Sequence, residues 1–219
     1  EAEFVASIAH LSEAEQAIAK QRRANEAEMK AARAEQLVRI EALKQLSANG
    51  KMEVIGEWVE SFLETGEKLV LFAHHIDIVE RLATQFSAPS ITGSTPLDKR
   101  QEYVDRFQND PDCRLIVLNI RAGGVGLTLT ASSNVAFVEL DWTPAAHDQA
   151  EDRCHRIGQT DAVNAWYLLA ERSIDQEIYD LIEEKRIVVT AATEGGESRE
   201  SGMLSELVGR LTRTSKATK

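Results

Sequence analysis

Cysteine is almost missing from this 219-residue chain, which holds only Cys113 and Cys154. Two thiols build neither a disulfide framework nor a four-ligand zinc site, and the scarcity suits a reducing compartment. Proline is equally rare, at four residues, and aromatics make up 5%. With 43% hydrophobic and 28% charged residues, a disordered or fibrous chain is excluded. No apolar run reaches the ~18 residues that cross a bilayer. The opening Glu1-Ala-Glu-Phe-Val5 lacks the basic-then-apolar order of an export signal. Net positive charge is absent too, since 25 Lys and Arg face 36 Asp and Glu for a balance of −11. That excludes a uniformly basic nucleic-acid coat and leaves room for a local basic groove. Together these absences predict a soluble intracellular protein, cytoplasmic and nucleoid-associated or nuclear.

What is present falls into three stretches. Residues 1–50 are rich in Ala, Glu, Lys, Arg and Gln, and predict a long helical linker or protrusion from Glu1 to about Ser47, with Gly50 as a stop. Its apolar residues gather at Leu37, Ile40, Leu43 and Leu46, so only the last turns are expected to pack. In residues 51–193 the period changes repeatedly. Val54, Ile55, Trp58, Val59, Phe62 and Leu63 share one helical side ending near Gly66. Leu69–Ala73, Leu115–Leu118, Val135–Val138 and Ala165–Leu169 are short apolar runs, the pattern of strands covered on both faces. Helical patterns over Ile76–Phe86, Pro96–Phe107, Pro144–Arg156 and Ile174–Val189 alternate with them. The fold class expected is α/β, a parallel sheet with helices on both faces, preceded by a long helical segment. Trp58 and Trp166 are expected in the core. In residues 194–219, Glu194–Gly202 has linker composition and Met203–Leu211 predicts a short helix with a basic end at Arg210, Arg213, Lys216 and Lys219.

In such a sheet, ligands meet the loops at the carboxyl ends of the strands. The loop Asn119–Ala131 carries Gly123, Gly124 and Gly126, which either cradle an anion through backbone N–H groups or serve a purely steric turn. Neither a Gly-x-x-x-x-Gly-Lys-Ser/Thr loop nor a dinucleotide fingerprint occurs anywhere. The chain is therefore not expected to grip a nucleoside triphosphate unaided, and a small-ligand dinucleotide enzyme is set aside. Further on, Gln149, Arg153 and Arg156 stand at i, i+4 and i+7, one side of the expected helix. They are either surface charge or arginine fingers for phosphoryl transfer, which contribute about 10³ to 10⁵ in rate. His74 and His75 are neighbours without further ligands nearby, so no metal site is expected.

Five segments in order carry a resemblance: Leu69-Val-Leu-Phe-Ala-His-His75, Ile91-Thr-Gly-Ser-Thr95, Arg121-Ala-Gly-Gly-Val-Gly-Leu127, Leu140-Asp-Trp-Thr-Pro144 and Gln149-Ala-Glu-Asp-Arg-Cys-His-Arg-Ile-Gly-Gln159. From about Glu41 to Thr193 the chain resembles the SWI/SNF-type family of superfamily-two helicase-like ATPases, nearest its annealing-helicase branch. The resemblance implies the second RecA-like lobe of an ATP-dependent double-stranded DNA translocase or remodeller. The phosphate-gripping loop and Mg²⁺ would then belong to the first RecA-like lobe, so this chain alone would hydrolyse essentially no ATP. Residue by residue, it implies that Arg153 and Arg156 reach ATP phosphates and Gln149 places their helix. Gly124 and Gly126 would bring backbone to the nucleotide, while Gly93, Ser94 and Thr95 would contact DNA phosphate. Asn119 and Arg121 would couple DNA contact to the cleft, and Asp141 and Trp142 would brace the neighbouring loops against DNA. Thr128 and Thr143 stand where many relatives carry Asn, which touches subfamily and local DNA contacts. The other reading the residues leave open is a non-catalytic interaction module on an α/β scaffold.

Overall fold

The apolar runs form one five-stranded parallel sheet in the computed structural model, which describes residues 7, 9–10, 12–122, 126–191, 206–207 and 209–210, the side chains of 187–191 excepted. Among these residues the elements are α1 (Glu13–Gly50), α2 (Met52–Glu64), β1 (Leu69–Ala73), α3 (Ile76–Gln85), β2 (Ser90–Ile91), α4 (Leu97–Asn109), β3 (Leu115–Asn119), β4 (Asn134–Phe137), α5 (Pro144–Glu151), β5 (Asn164–Tyr167) and α6 (Ile174–Ala191). The linker Glu194–Gly202, residues 123–125 and the basic tail beyond Arg210 lie outside the described residues. Contacts divide the chain into two compact units, Glu1–Ala42 and Leu43–Lys219.

In the first unit α1 begins at a reciprocal cap. The Ser12 hydroxyl and amide both donate to Glu15 at 2.6 and 2.9 Å, and the Glu15 amide donates back to Ser12 Oγ at 3.4 Å. Its first turns are solvated, with Ile18 and Met29 exposed, and among the described residues Ile40 is the buried apolar one of this unit.

In the second unit the strand order is β2-β3-β1-β4-β5, and Val70 of β1 stands level with Ile116 of β3 and Val135 of β4. The alternate residues Leu69, Leu71 and Ala73 pack with Ile55 and Val59 of α2 and with Ile78, Val79 and Leu82 of α3. On the other face Phe72, Phe137 and Tyr167 stack in a row at 5.4 and 5.0 Å, with His147 of α5 and Tyr179 of α6 edge-on to them. Burying side chains of this size on both faces at roughly 1.5–3 kcal/mol each holds the sheet against its conformational entropy.

β2 has only two residues, too short to show as an apolar run. Four expectations are corrected. β5 is not covered on both faces: it is an edge strand beside β4 alone, exposed at Asn164, Ala165 and Trp166. Trp166 is accordingly 43% exposed and leans on the half-buried Trp58 at 5.8 Å. In the last turns of α1, Leu43 and Leu46 are exposed while Lys44 and Ala48 are buried, because Lys44 Nζ lies over the Trp142 ring at 4.8 Å. Finally, the helix expected over Pro144–Arg156 stops at Glu151.

Candidate functional site

Because β1 lies between β3 and β4, three loops leave the sheet side by side at its carboxyl edge. Glu139, two residues past β4 and 2% exposed, holds the loop after β1. Its Oε2 accepts the amides of His74 and His75 at 3.0 and 2.8 Å, and its Oε1 pairs with His75 Nδ1 at 2.6 Å. Asp141 does the same one alternation later. Its Oδ2 accepts Arg121 Nε at 3.2 Å and lies 3.6 Å from His74 Nδ1, while Oδ1 accepts the Trp142 amide at 2.8 Å. Burial on its own would raise the Asp141 carboxyl. The nearby His74 ring and the Arg121 guanidinium outweigh it and hold the group well below the usual carboxylate range. Asn119 closes the bracket, donating to the His74 carbonyl and accepting the amides of Arg121 and Ala122 at 3.1 and 3.2 Å. His147 accepts the Asp141 amide at Nε2 (3.3 Å) and pairs Nδ1 with the Thr143 carbonyl (3.0 Å). Burial pushes this ring down to about 4, so it is neutral at pH 7. Asn119, Arg121, Asp141 and Trp142 are thus brought together, and the two histidines each face a carboxylate.

The turn after β2 is built from hydroxyls and one arginine. The Thr92 amide donates to Thr95 Oγ1 at 2.9 Å, and Thr92 Oγ1 and Ser94 Oγ share a hydrogen bond of 2.9 Å. Arg100, on the first turn of α4, folds back over the main chain. Its Nε donates to the Thr95 carbonyl at 2.7 Å and its Nη2 to the carbonyls of Thr92 and Gly93 at 3.1 and 3.0 Å. With its carbonyls turned to a cation, the turn is left with hydroxyls and N–H groups at the entry to α4, an arrangement that suits an anion. A Cβ at Gly93 would meet nothing within 4 Å, so the fold itself does not require glycine there.

The third place is the stretch after α5. Gln149 is exposed on the helix, but Arg153 and Arg156 lie beyond its end rather than on one helical face with it. Past Glu151 the ladder tightens, with Arg153 and Cys154 donating to carbonyls only three residues back, and the Arg153 carbonyl accepts the Leu129 amide at 2.9 Å. Arg153 is 6% exposed. Arg156 is exposed and donates to the Gly126 carbonyl at 3.3 Å and to Thr128 Oγ1 at 3.2 Å. Burial, and then the like charge of Arg156, draw the Arg153 guanidinium below its ordinary range. Gly126 has φ +53°, the left-handed conformation that favours glycine. Gly123 and Gly124 lie outside the described residues. Cys154 is buried, and burial pushes its thiol up to about 12, so it is unreactive at neutral pH.

Glu139, Arg100 and Lys44 escape the sequence reading. The signal for Glu139 was available: two carboxylates at alternate positions, Glu139 and Asp141, directly follow an apolar strand. Arg100 and Lys44 carry none, since their partners are main-chain carbonyls and a distant ring. Among the described residues no group of three His, Cys, Asp or Glu is placed to hold a metal ion, and no helix is long and apolar enough to cross a membrane.

The helicase conserved C-terminal domain matches residues 50–158. The DNA annealing helicase and endonuclease ZRANB3 of Mus musculus is 36% identical over 155 residues, covering 68% of this chain and 14% of the relative. The helicase domino of Drosophila melanogaster is 35% identical over 154 residues, 70% of this chain and 4% of its own. The SWI/SNF-related A-like protein 1 of the same organism is 33% identical over 149 residues, 66% and 20% respectively. The chain therefore spans no more than a fifth of the length of these relatives. The crystal structure of the C-terminal part of the Fun30 ATPase domain superposes with a TM-score of 0.60 at 24% identity, over 75% of this chain and 54% of that one. This likeness shows the RecA-like fold. On these matches the chain belongs to the family of the helicase conserved C-terminal domain, in its SWI/SNF-related group.

Proposed function

We propose that this chain is the second motor lobe of an ATP-dependent double-stranded DNA translocase or remodeller, acting wherever its DNA is held. The observation that carries the reading furthest is Arg156, an exposed guanidinium beside the Gly126–Thr128 loop whose two long hydrogen bonds go to uncharged oxygens, the Gly126 carbonyl and the Thr128 hydroxyl. A triphosphate gripped by a first lobe would offer it shorter, charge-assisted bonds. There it would stabilise the charge developing on the transferred phosphoryl oxygens as water attacks and the diphosphate leaves. Arg153, desolvated and repelled by Arg156, would gain from the same anion. Gly126 would bring main chain to the nucleotide edge, and Gln149 would steady the approach from α5. Mg²⁺ would be held by the first lobe, with the phosphates it grips.

DNA would be held elsewhere on the lobe. Gly93, Ser94 and Thr95 would meet a backbone phosphate at the turn that Arg100 organises, while Arg121, steered by Asp141, would reach a second with Asn119 and Trp142 bracing it. Such contacts are sequence-independent and salt-sensitive. The test is DNA-stimulated ATP hydrolysis by the full-length protein and its Arg156→Ala variant, beside this chain alone. Collapse of turnover in the variant and essentially none in the isolated chain are expected. Normal turnover by the variant would reject the finger, and robust turnover by the isolated chain would reject the half-motor.

A further inference from the structure

Several acceptors converge on one guanidinium on the side of α5 that faces α6. Arg186 of α6 donates from Nη2 to Asp148 Oδ1 at 2.9 Å and Tyr167 Oη at 3.0 Å, reaches Glu151 Oε1 at 3.4 Å, and donates from Nη1 to Glu183 Oε1 at 2.9 Å. The Tyr167 hydroxyl in turn donates to Glu151 Oε1 at 2.9 Å. The Arg186 side chain is 27% exposed, whereas the surface pair Lys99–Glu102 has both side chains more than half exposed. Water therefore competes less at Arg186, and a guanidinium fork shared by several acceptors is fixed in direction as well as charge. The residues it grips are the ones that shape the exit of α5. The Asp148 carbonyl accepts the Asp152 amide at 2.9 Å, and the Glu151 carbonyl accepts those of Cys154 and His155 at 3.0 and 3.1 Å. Arg156 follows directly.

We infer that Arg186 is a positioning residue for nucleotide hydrolysis: by clamping Asp148, Glu151 and Tyr167 it fixes the exit of α5, and with it the place at which Arg156 is presented. The inference rests on the role given to Arg156 above. It also makes α6 a handle, since displacing that helix would carry the arginine out of register. The experiment is a double-mutant cycle in the full-length protein, reading kcat and KM for ATP with saturating DNA. Because a misplacement of about 1 Å costs on the order of 10²-fold, Arg186→Ala is expected to lower kcat by at least about tenfold with KM little changed. The Arg186→Ala, Arg156→Ala pair should be no slower than Arg156→Ala alone, since both act on one step. Arg186→Lys should recover part of the rate. If Arg186→Ala fails to fold, Glu151→Gln, which keeps the shape and removes the charge, should show the same non-additivity. Multiplying losses, or an unchanged kcat in the Arg186 or Glu151 variants while Arg156→Ala is slow, would overturn this inference alone. A normal rate in Arg156→Ala would remove the assignment beneath it.

Discussion

The turn after β2 and the stretch after α5 are both proposed to meet phosphate, yet they are held in opposite ways. In the first, Arg100 answers three carbonyls and the hydroxyls of Thr92, Ser94 and Thr95 bond one another, all within the loop itself. In the second, Arg156 is exposed and makes two bonds of 3.2 and 3.3 Å, the outer edge of hydrogen-bond geometry. A surface that grips a backbone through repeated cycles gains from being built in advance, because ordering it at each contact would cost affinity. An arginine that completes a site only when a second lobe arrives gains from bonds it can exchange. The difference separates a standing grip from a conditional one.

The comparison breaks first at Arg156. Arg156→Ala in the full-length protein should lower kcat by about 10³-fold, roughly 4 kcal/mol of transition-state stabilisation, while the melting temperature of this chain stays the same. The buried Arg153 is different. Its replacement by alanine should lower the melting temperature as well as the rate, so only Arg156 reads hydrolysis cleanly. A large loss of stability in Arg156→Ala would show that its bonds are structural and erase the contrast.

The prebuilt side is probed next at Glu139. Glu139→Ala leaves two buried amides and a histidine ring without their acceptor, and should cost about 4 kcal/mol of unfolding free energy in urea. A loss below about 1 kcal/mol would mean that water replaces the carboxylate easily and that the carboxyl edge is softer than described.

A pH dependence follows from His147. Its folded value is depressed by burial to about 4, against an ordinary 6.5, so the unfolded chain takes up the proton first as pH falls. The stabilisation is complete above about pH 6.5 and fades toward about pH 4, some 3 kcal/mol in all. Asp141, also depressed, loses its contribution only below its ordinary 3.8, so the two windows do not overlap. Urea midpoints should fall between pH 7 and pH 5, and His147→Phe should flatten that fall. An equal slope in the variant would place the titration elsewhere.

The smallest effect sharpens the contrast. Arg100→Ala should weaken DNA binding by the full-length protein about tenfold, or ~1.4 kcal/mol, with kcat at saturating DNA unchanged. Binding would be read by titration at two salt concentrations. A fall in kcat would mean that grip and hydrolysis are not separable in this lobe.

Much of the framework was legible because burial on both faces writes itself as apolar runs: Leu69–Ala73, Leu115–Leu118 and Val135–Val138 each became an inner strand. What stayed hidden depends on partners distant in the chain. β2 is defined by its pairing with β3 rather than by its two residues. The end of α5 lies where Arg153 and Cys154 turn to carbonyls three residues back, and no local pattern announces it. The same holds for Lys44, whose burial beneath Trp142 runs against the apolar stripe beside it. At the candidate site, residue types and order sufficed to identify the family, whereas the unlike states of Arg153 and Arg156 needed three dimensions.

The hydrogen bond from the Leu129 amide to the Arg153 carbonyl ties two stretches distant in sequence to each other. It buckles the chain into a closed strap, with β4, the Asp141–Trp142 loop and α5 inside and Gly126–Thr128 and Arg156 just outside at the clasp. Whatever tugs on one of those outer segments is felt by the other through this main-chain link and through the two bonds of Arg156. A proline at 129, which has no amide hydrogen to give, would undo the buckle without altering any charge.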